Sequence, residues 1–300
     1  MIHLSIIKTA LREDIGKEDI TTNFLIDPKS KGKAVIIVRE EGITAGLEIA
    51  KEVFKNLNSR LEFKALKKEG EAFRENEIVA EVRGFLKPIL VAERVALNFL
   101  GRLSGIATLT NKFVKEVEDF RVKIMDTRKT TPNLRELEKY AVQMGGGFNH
   151  RFSLDEMILI KDNHIQAASC KLQAASKKKE NTGLKGMIQK ARKKAKEGMK
   201  IEVEVSNLEE FKQALEGKPD IIMLDNMDIE KIKKAVGIRN KAVENSSLPF
   251  DLTPELEVSG GVNLENIKAI AQTGVERISV GAITHAANWI DFSLKVTLDN

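Results

Sequence analysis

Three polar segments between residues 126 and 164 carry the residue types that bind anions. They are 126–132 (DTRKTTP), 145–151 (GGGFNHR) and 159–164 (LIKDNH). Apolar runs lead directly into the first and the last of them, and short runs of this kind are typical of buried parallel strands. The polar residues would then fall at the carboxyl ends of strands, which is the edge where α/β barrels place their chemistry.

Five side chains from these segments are expected to form a dense basic cluster. They are Arg128, Lys129, His150, Arg151 and Lys161. Two positive charges about 4 Å apart repel each other by roughly 4 kcal/mol at an effective dielectric constant near 20. A fold retains such a cluster when an anion with several negative charges binds to it. The cluster therefore predicts a small polyanionic substrate.

Carboxylates are expected on two neighbouring strands of the same sheet. In 201–205 (IEVEV) the strand period of two places Glu202 and Glu204 on one face and the apolar residues on the other. Glu204 and Asp225, each at a strand end, suit a hydrated Mg²⁺ ion and ribose hydroxyls, because Mg²⁺ prefers carboxylate, water and phosphate oxygen. The alternative is a pair of structural carboxylates that form salt bridges with Lys161.

Two glycine turns follow, at 258–262 (VSGGV) and 280–284 (VGAIT). Each ends a predicted strand, and a helix is expected just after each turn. Backbone N–H groups at such a position can hold a phosphate, and barrels often place this cradle after their last two strands. The alternative is two tight turns that bind no ligand.

The elements that would position these residues fall into two groups. In roughly the first hundred residues the pattern is mixed α+β and predicts a sandwich-like domain. Helices are predicted at 4–11, 46–54, 88–103 and 104–117, and strands at 33–39, 60–65 and 77–82.

From about residue 120 the pattern alternates strand, polar loop and helix, which predicts a parallel sheet. Strands are predicted at 122–126, 157–161, 201–205, 221–225, 256–259 and 277–281, and helices at 208–215, 229–236 and 264–272. Polar strand ends favour an α/β barrel over a doubly wound sheet, and fewer than eight strands predict an incomplete one. We therefore predict an N-terminal α/β domain at 1–105, an open parallel α/β barrel at 106–287, and a tail, 288–300, that returns to the first domain as an edge strand.

Composition excludes several functional classes. The 300 residues are 42% hydrophobic and 5% aromatic, which predicts an aliphatic core, and a net charge of +5 among 31% charged residues is too small to indicate a nucleic-acid partner. Cys170 is the only cysteine, which excludes an intrachain disulfide and a cysteine-rich zinc site.

The first residues lack the apolar core of a signal peptide and no apolar run reaches ~18 residues, so we expect a cytoplasmic protein with no membrane partner. The lysine-rich stretch 177–200 is interpreted as a solvated helix face, with a polyanion-binding patch as the alternative.

Taken together, these segments resemble the family of carboxylating nicotinate-nucleotide pyrophosphorylases, also called quinolinate phosphoribosyltransferases. The likeness covers nearly the whole chain, from 13–22 (EDIGKEDITT) through 92–98 (AERVALN) and 102–108 (RLSGIAT) to 279–285 (SVGAITH). The motifs DTRKT, NHR and KDNH in this order are highly specific. The sequence departs from the family pattern at Ser153, where glycine is usual, and at Glu156, where aspartate is common.

The resemblance implies transfer of phosphoribosyl from phosphoribosyl pyrophosphate to the ring nitrogen of quinolinate. Pyrophosphate leaves, CO₂ is lost, and nicotinate mononucleotide is formed, which is a step of NAD biosynthesis. The resemblance also implies an N-terminal α/β domain, an open α/β barrel, Mg²⁺ as the cofactor, and a head-to-tail homodimer or larger homo-oligomer with shared active sites.

The resemblance further implies a role for each matching residue. Arg128, His150, Arg151 and Lys161 would line the quinolinate site, with Arg94 entering from the neighbouring subunit; Lys129 and His285 would lie towards the pyrophosphate; Glu204 and Asp225 would hold ribose and Mg²⁺; and Ser259, Gly260, Gly261 and Gly281 would receive the 5′-phosphate. The residues expected to act in catalysis are Lys129, Lys161, Glu204 and Asp225.

Two other functions stay open on the sequence. One is that of a related enzyme associated with molybdate transport, whose acceptor is unknown or different. The retained basic residues of the quinolinate site argue for quinolinate. The other is a phosphate-binding barrel that senses a nucleotide without catalysis. Glu204 and Asp225 argue against it, because a passive phosphate binder has little use for two metal-binding carboxylates.

Overall fold

The computed structural model describes residues 4–167, 183–245, 248 and 252–297. Cys170 and the first part of the lysine-rich stretch lie outside these residues. The chain forms two compact units. Unit 1 comprises Met1–Lys112, Lys129–Gly147 and Ile283–Asn300, and unit 2 comprises Phe113–Arg128 and Phe148–Ala282.

The helices and strands are numbered in chain order. The helices are α1 (Leu4–Ile15), α2 (Ile20–Leu25), α3 (Leu47–Leu57), α4 (Leu86–Glu116), α5 (Arg135–Met144), α6 (Leu184–Lys194), α7 (Leu208–Gly217), α8 (Ile229–Glu244), α9 (Ile267–Ala271) and α10 (Ala282–His285). The strands are β1 (Lys31–Val38), β2 (Gly42–Ile43), β3 (Glu62–Ala65), β4 (Ala72–Phe73), β5 (Ile78–Phe85), β6 (Lys123–Met125), β7 (Ile158–Ile160), β8 (Ile201–Val205), β9 (Ile221–Asp225), β10 (Glu255–Ser259), β11 (Arg277–Ser279) and β12 (Phe292–Thr297). Residues 162–167 are also helical.

Unit 1 contains an antiparallel sheet with strand order β12-β1-β5-β3. The last strand, β12, lies at the edge and pairs with β1 from Val38 opposite Phe292 to Lys33 opposite Thr297. Helix α3 has an amphipathic pattern, and its apolar stripe from Leu47 to Phe54 is buried. These aliphatic and few aromatic residues form the core of the unit, as the composition predicts.

The long helix α4 corrects one prediction. The pattern predicted two helices separated near Ser104 and Gly105, whereas α4 is continuous across both residues. The hydroxyl of Ser104 donates to the carbonyl oxygen of Ala45 and accepts from its N–H, both at 3.1 Å. A β-carbon at Gly105 would lie only 2.0 Å from the carbonyl oxygen of Asn288. Both residues are small because the helix packs closely against other backbone at this point, and they do not interrupt it.

Unit 2 contains a six-stranded parallel sheet with strand order β6-β11-β10-β9-β8-β7. Helices α6, α7 and α8 connect its strands, so the predicted fold class, an α/β protein with an incomplete parallel barrel, is confirmed. The bounds of β8 and β9 are those predicted, and the other four strands differ by one or two residues at one end or at both. Helix α9 begins at Ile267, so the helix expected directly after the first glycine turn starts later than predicted.

No helix in the described part of the chain combines the length and the apolar character needed to cross a membrane.

Candidate active site

The register of unit 2 places a row of polar residues on one face of the parallel sheet. Glu204 on β8 pairs with Met223 on β9, Met223 with Glu257 on β10, and Glu257 with Arg277 on β11. Residues paired in this way point to the same side of a sheet, and so do residues two positions further along each strand. The other face is apolar, for example Val203, Ile222 and Leu256. The polar face is therefore the one on which Glu202, Asp225, Ser259 and Ser279 also lie.

A buried charged cluster occupies this face. Nε2 of His150 lies 3.0 Å from Oε2 of Glu202 and 3.5 Å from Oε1 of Glu257. Arg277 donates from Nε to Oε2 of Glu257 at 2.6 Å, and the hydroxyl of Ser279 donates to its other oxygen. Two carboxylates thus face one guanidinium and one imidazole. The sequence pattern predicted Glu202 on this face, whereas Glu257 and Arg277 were not predicted; the same alternation in 255–258 (ELEV) signals Glu257.

The residues of this cluster also have the composition of a metal site, because ligand atoms of His150, Glu202 and Glu257 lie within 4.8 Å of one another. The charge balance argues against that use. Arg277 already holds Glu257, and burying a metal ion beside a guanidinium would bring two like charges together. We therefore treat the three residues as an internal ion-pair network.

The segment that carries His150 is fixed to the end of β6 through Asp126. The carboxylate of Asp126 is fully buried and accepts from the N–H of His150 at 2.8 Å. The backbone N–H of Arg151 in turn donates to Nδ1 of His150 at 2.8 Å. The ring proton of a neutral His150 therefore lies on Nε2 and faces the two carboxylates.

Burial and charge act in opposite directions on His150. Burial disfavours the charged ring, but the carboxylates of Glu202 and Glu257 outweigh it and raise the pKa of His150 above its ordinary value. A second proton on Nδ1 would displace the N–H of Arg151. The charge of His150 is therefore coupled to the backbone position of Arg151.

Two arginines of the predicted basic cluster repel each other. Burial lowers the pKa of Arg151, and the charge of Arg128 lowers it further. Arg151 is half-buried and donates from Nη1 to the carbonyl oxygen of Met157 at 3.0 Å, which fixes its side chain. Arg128 is exposed. A bound anion would relieve the repulsion between the two guanidinium groups.

Lys161 follows β7 and forms an ion pair with Glu204 at the end of β8. One alternative was that Glu204 and Asp225 are structural carboxylates that both form salt bridges with Lys161. Among the described residues Glu204 forms this salt bridge and Asp225 does not. The backbone N–H of Lys161 donates to Nδ1 of His164 at 3.0 Å, which fixes the turn after β7. A cation and a carboxylate are thus placed together at the carboxyl edge of the sheet.

Asp225 ends β9 beside the first glycine turn. Its Oδ2 accepts from the side-chain amide of Asn226 at 2.7 Å, and the N–H of Asn226 donates to the carbonyl oxygen of Ser259 at 2.8 Å. Gly260 and Gly261 have φ values of +90° and +64°, which favour glycine. A β-carbon at Gly260 would lie 2.3 Å from the side chain of Asn226. Gly260 is therefore required both by its backbone conformation and by the limited space beside the side chain of Asn226.

The remaining predicted site residues belong to unit 1, except Gly281, which follows β11 in unit 2. All three basic side chains are exposed. Arg94 lies on α4, Lys129 lies in the loop between β6 and α5, and His285 lies at the end of α10. The hydroxyl of the buried Thr284 donates to the carbonyl oxygen of Lys129 at 2.7 Å. This contact brings the segments of Lys129 and His285 together.

Comparison with known proteins finds one family over most of the chain. Residues 19–104 match the family model described as quinolinate phosphoribosyl transferase, N-terminal domain, and residues 106–295 match the model of the C-terminal domain of the same protein.

Individual relatives match over nearly their full length. A probable nicotinate-nucleotide pyrophosphorylase (carboxylating) of Synechocystis sp. is 40% identical over 286 residues, which cover 95% of this chain and 90% of that protein. A protein of the same description from Methanocaldococcus jannaschii is 40% identical over 295 residues, covering 98% and 96%. The solved structure of the nicotinate-nucleotide pyrophosphorylase from Francisella tularensis has a TM-score of 0.86 and 39% identity, and covers 98% of this chain and 95% of that chain.

Proposed function

This chain belongs to the quinolinate phosphoribosyl transferase family, and on that premise we propose how its own residues carry out the reaction. The reaction joins the ring nitrogen of quinolinate to C1 of the ribose of phosphoribosyl pyrophosphate. The bond from C1 to pyrophosphate breaks, CO₂ is then lost from the ring, the ring carbon that carried it takes up a proton, and nicotinate mononucleotide is formed. The chain is thus a phosphoribosyltransferase of NAD biosynthesis.

The quinolinate dianion is assigned to Arg128, Arg151, Lys161 and His150. Planar guanidinium groups bind carboxylates through two parallel hydrogen bonds. The pKa of Arg151 is lowered first by burial and then by the charge of Arg128, and the second of these effects is the one that a bound anion would offset, which supports the assignment. Neutralised in this way, quinolinate can approach a second, strongly anionic substrate, and alignment of the two makes the attack effectively intramolecular.

Ribose and Mg²⁺ are assigned to Glu204 and Asp225. The two side chains suit a hard cation, because both offer carboxylate oxygens from neighbouring strand ends on the same face of the sheet. Bound Mg²⁺ would offset negative charge on the pyrophosphate. In this assignment Lys161 is the counter-charge that holds the carboxylate of Glu204 in place before the substrates arrive.

The 5′-phosphate is assigned to the backbone of Ser259, Gly260, Gly261 and Gly281. The two left-handed glycines turn the chain sharply at the end of β10, and no side chain at these positions blocks the approach of a phosphate. Because α9 begins several residues later, the assignment of the first turn rests on the turn itself and not on a helix terminus.

Departure of pyrophosphate is assigned to Lys129 and His285. Both side chains are exposed, so they are accessible to a bound group. Positive charge at the leaving oxygens stabilises the negative charge that grows there in the transition state. After transfer, the positively charged pyridinium ring stabilises the carbanion left when CO₂ departs, so no protein nucleophile is required.

The active form is proposed to be a homodimer or a larger homo-oligomer in the cytoplasm, with Arg94 of one subunit completing the quinolinate site of its neighbour. Arg94 is exposed on α4, which supports a role towards another molecule. A single cysteine in 300 residues fits a reducing compartment.

The strand register is the single observation that carries the assignment, because it places Glu204, Asp225 and Ser259 on one face at one edge of the sheet. The test is to incubate the purified protein with quinolinate, phosphoribosyl pyrophosphate and Mg²⁺. We expect release of CO₂ and formation of nicotinate mononucleotide, measured by chromatography. Turnover of nicotinate or another acid in place of quinolinate would contradict the proposal.

Arg128→Ala tests how the site is divided between the substrates. We expect quinolinate binding to weaken roughly 10- to 100-fold, the scale of lost charged hydrogen bonds, while phosphoribosyl pyrophosphate binding changes little. Calorimetry measures both. Arg192→Ala is the matched control, because Arg192 forms an exposed ion pair with Asp220. Equal loss of both ligands would show that the division is wrong.

Mixed subunits test the shared site. Homo-oligomers of Arg94→Ala and of Lys161→Ala should each be inactive. In a mixed oligomer, some sites combine the intact Lys161 of an Arg94→Ala subunit with the intact Arg94 of a neighbouring Lys161→Ala subunit. We expect activity to return on mixing and refolding the two variants. No recovery, with mixed oligomers demonstrated by mass spectrometry, would place both residues in the same subunit's site.

A further inference from the structure

An ion pair between the half-buried Arg102 and the buried Glu138 joins α4 to α5 in unit 1. The carboxylate of Glu138 is fully buried, and its Oε1 accepts from Nη2 of Arg102 at 2.7 Å and from Nε at 3.1 Å. Thr131 supplies the other donors: its hydroxyl donates to Oε1 at 2.8 Å and its N–H donates to Oε2 at 3.1 Å. Both carboxylate oxygens are therefore hydrogen-bonded.

The same arginine also reaches the residues on either side of His285. Nη1 of Arg102 donates to the carbonyl oxygen of Ala287 at 3.2 Å, and Nη2 donates to that of Thr284. Thr284 in turn donates from its hydroxyl to the carbonyl oxygen of Lys129 at 2.7 Å. The contacts form a closed circuit that runs from Thr131 through Glu138, Arg102 and Thr284 to Lys129.

This circuit differs from an ion pair that only stabilises the core. A buried ion pair is a costly way to gain stability, because desolvation of both charges offsets much of their attraction. Here every partner of the pair lies within two residues of Lys129 or His285. Arg102, Glu138, Thr131 and His285 also line a cavity of about 770 Å³ within unit 1. The pair therefore fixes backbone beside an open space and not in a closed core.

We propose that Arg102 and Glu138 are positioning residues that hold Lys129 and His285 in a fixed mutual arrangement for the leaving pyrophosphate. The inference rests on the proposed function, because it takes Lys129 and His285 as the residues that face that group. Neither Arg102 nor Glu138 needs to touch a substrate. Their effect is on geometry, and a displacement of about 1 Å at a reacting group can cost on the order of 100-fold in rate.

Two variants test the proposal at different points of the circuit. Glu138→Gln removes the charge of the carboxylate, and Thr284→Val removes only the hydroxyl that holds Lys129, leaving the ion pair intact. Thr284→Val thus keeps the proposal testable if Glu138→Gln does not fold. Glu216→Gln is the matched control, because Glu216 forms an exposed ion pair with Lys185 at 3.0 Å.

The readout separates positioning from folding. Inorganic pyrophosphate and quinolinate are titrated separately by calorimetry, and kcat is measured on the folded fraction determined by circular dichroism. We expect roughly 10- to 100-fold losses in pyrophosphate affinity and in kcat for both variants, with quinolinate affinity kept, and we expect Thr284→Ser to restore most of what Thr284→Val loses.

The outcomes distinguish this inference from the proposed function. If the unaltered enzyme does not turn over quinolinate, the proposed function fails. If it does, but folded Glu138→Gln and Thr284→Val keep the pyrophosphate affinity and kcat of the control, the positioning role is overturned. Parallel losses of quinolinate and pyrophosphate affinity in the folded variants would also overturn it, because a general distortion produces that result.

Discussion

Two buried acidic centres, one in each unit, are built in different ways. In unit 1 both oxygens of Glu138 accept hydrogen bonds, from Arg102 and Thr131. In unit 2 Glu202 is equally buried, but neither of its oxygens accepts a hydrogen bond from a residue in the described part of the chain. Its Oε2 instead lies 3.0 Å from Nε2 of His150, in an ion-pair contact without the alignment of a hydrogen bond.

The difference separates two uses of buried charge. A network in which every group is satisfied specifies one geometry, because any displacement breaks several bonds at once. A carboxylate that is held mainly by charge instead raises the local negative potential. In unit 2 this potential acts on His150 and on Glu257, whose pKa is raised by burial and by the nearby Glu202. We therefore expect the centre in unit 1 to fix the positions of the backbone segments around it, and the centre in unit 2 to control the charge states of His150 and Glu257.

Removal of Arg277 should have the largest effect on stability. Arg277→Met would leave Glu257 and Glu202 as neighbouring buried carboxylates with one fewer compensating cation. We expect the free energy of unfolding to fall by about 3–5 kcal/mol, the cost of breaking a buried pair, measured by urea denaturation. Arg192→Met removes an exposed ion pair and should cost no more than about 1 kcal/mol. Equal losses in the two variants would mean that the unit 2 centre is accessible to water.

Neutralising one carboxylate in each unit compares the two centres directly. Glu138→Gln weakens a fully satisfied network beside a charged guanidinium, so we expect a loss of about 2 kcal/mol in the free energy of unfolding. Glu202→Gln loses attraction to His150 but removes repulsion from Glu257, and we expect a net change within about 1 kcal/mol. Urea denaturation of both variants measures the contrast. A larger loss for Glu202→Gln would reverse the proposed distinction.

The sequence predicts the strands of unit 2 well because their signals are local. The alternation in 201–205 and the apolar run of 221–225 define β8 and β9 to the residue, and the polar residues that follow the strands mark their carboxyl ends. Local sequence patterns of this kind do not show how an element packs against residues that are distant in the sequence. Ser104 and Gly105 resemble a helix break, yet contacts with Ala45 and Asn288, distant in the chain, explain both residues within one helix.

The two buried centres were less predictable for a related reason. Alternation in 255–258 places Glu257 on the polar face, but its pairing with Arg277 depends on the register of two strands that are twenty residues apart. The circuit of Arg102 and Glu138 joins residues 36 positions apart. Local periodicity gives the face on which a side chain lies, and only the fold gives its partner.

The smallest expected effect concerns the pH dependence of the centre in unit 2. The pKa of Glu257 is raised in the folded protein, because burial and the charge of Glu202 disfavour its ionised form. A raised pKa of this kind contributes stability that is fully present below the unfolded value of about 4.5 and is lost as the pH rises through the folded value.

Comparing Glu257→Gln with the unaltered protein isolates this contribution, because most other titrating groups cancel in the difference. We expect the difference in unfolding free energy between the two to shift in favour of the variant as the pH rises from 4.5 towards neutrality, measured by urea denaturation at several pH values. Glu216→Gln, an exposed carboxylate variant, should show no such trend. A difference that does not vary with pH would mean that the two carboxylates do not repel each other in the folded protein, and the contrast with Glu138 would then be one of hydrogen bonding alone.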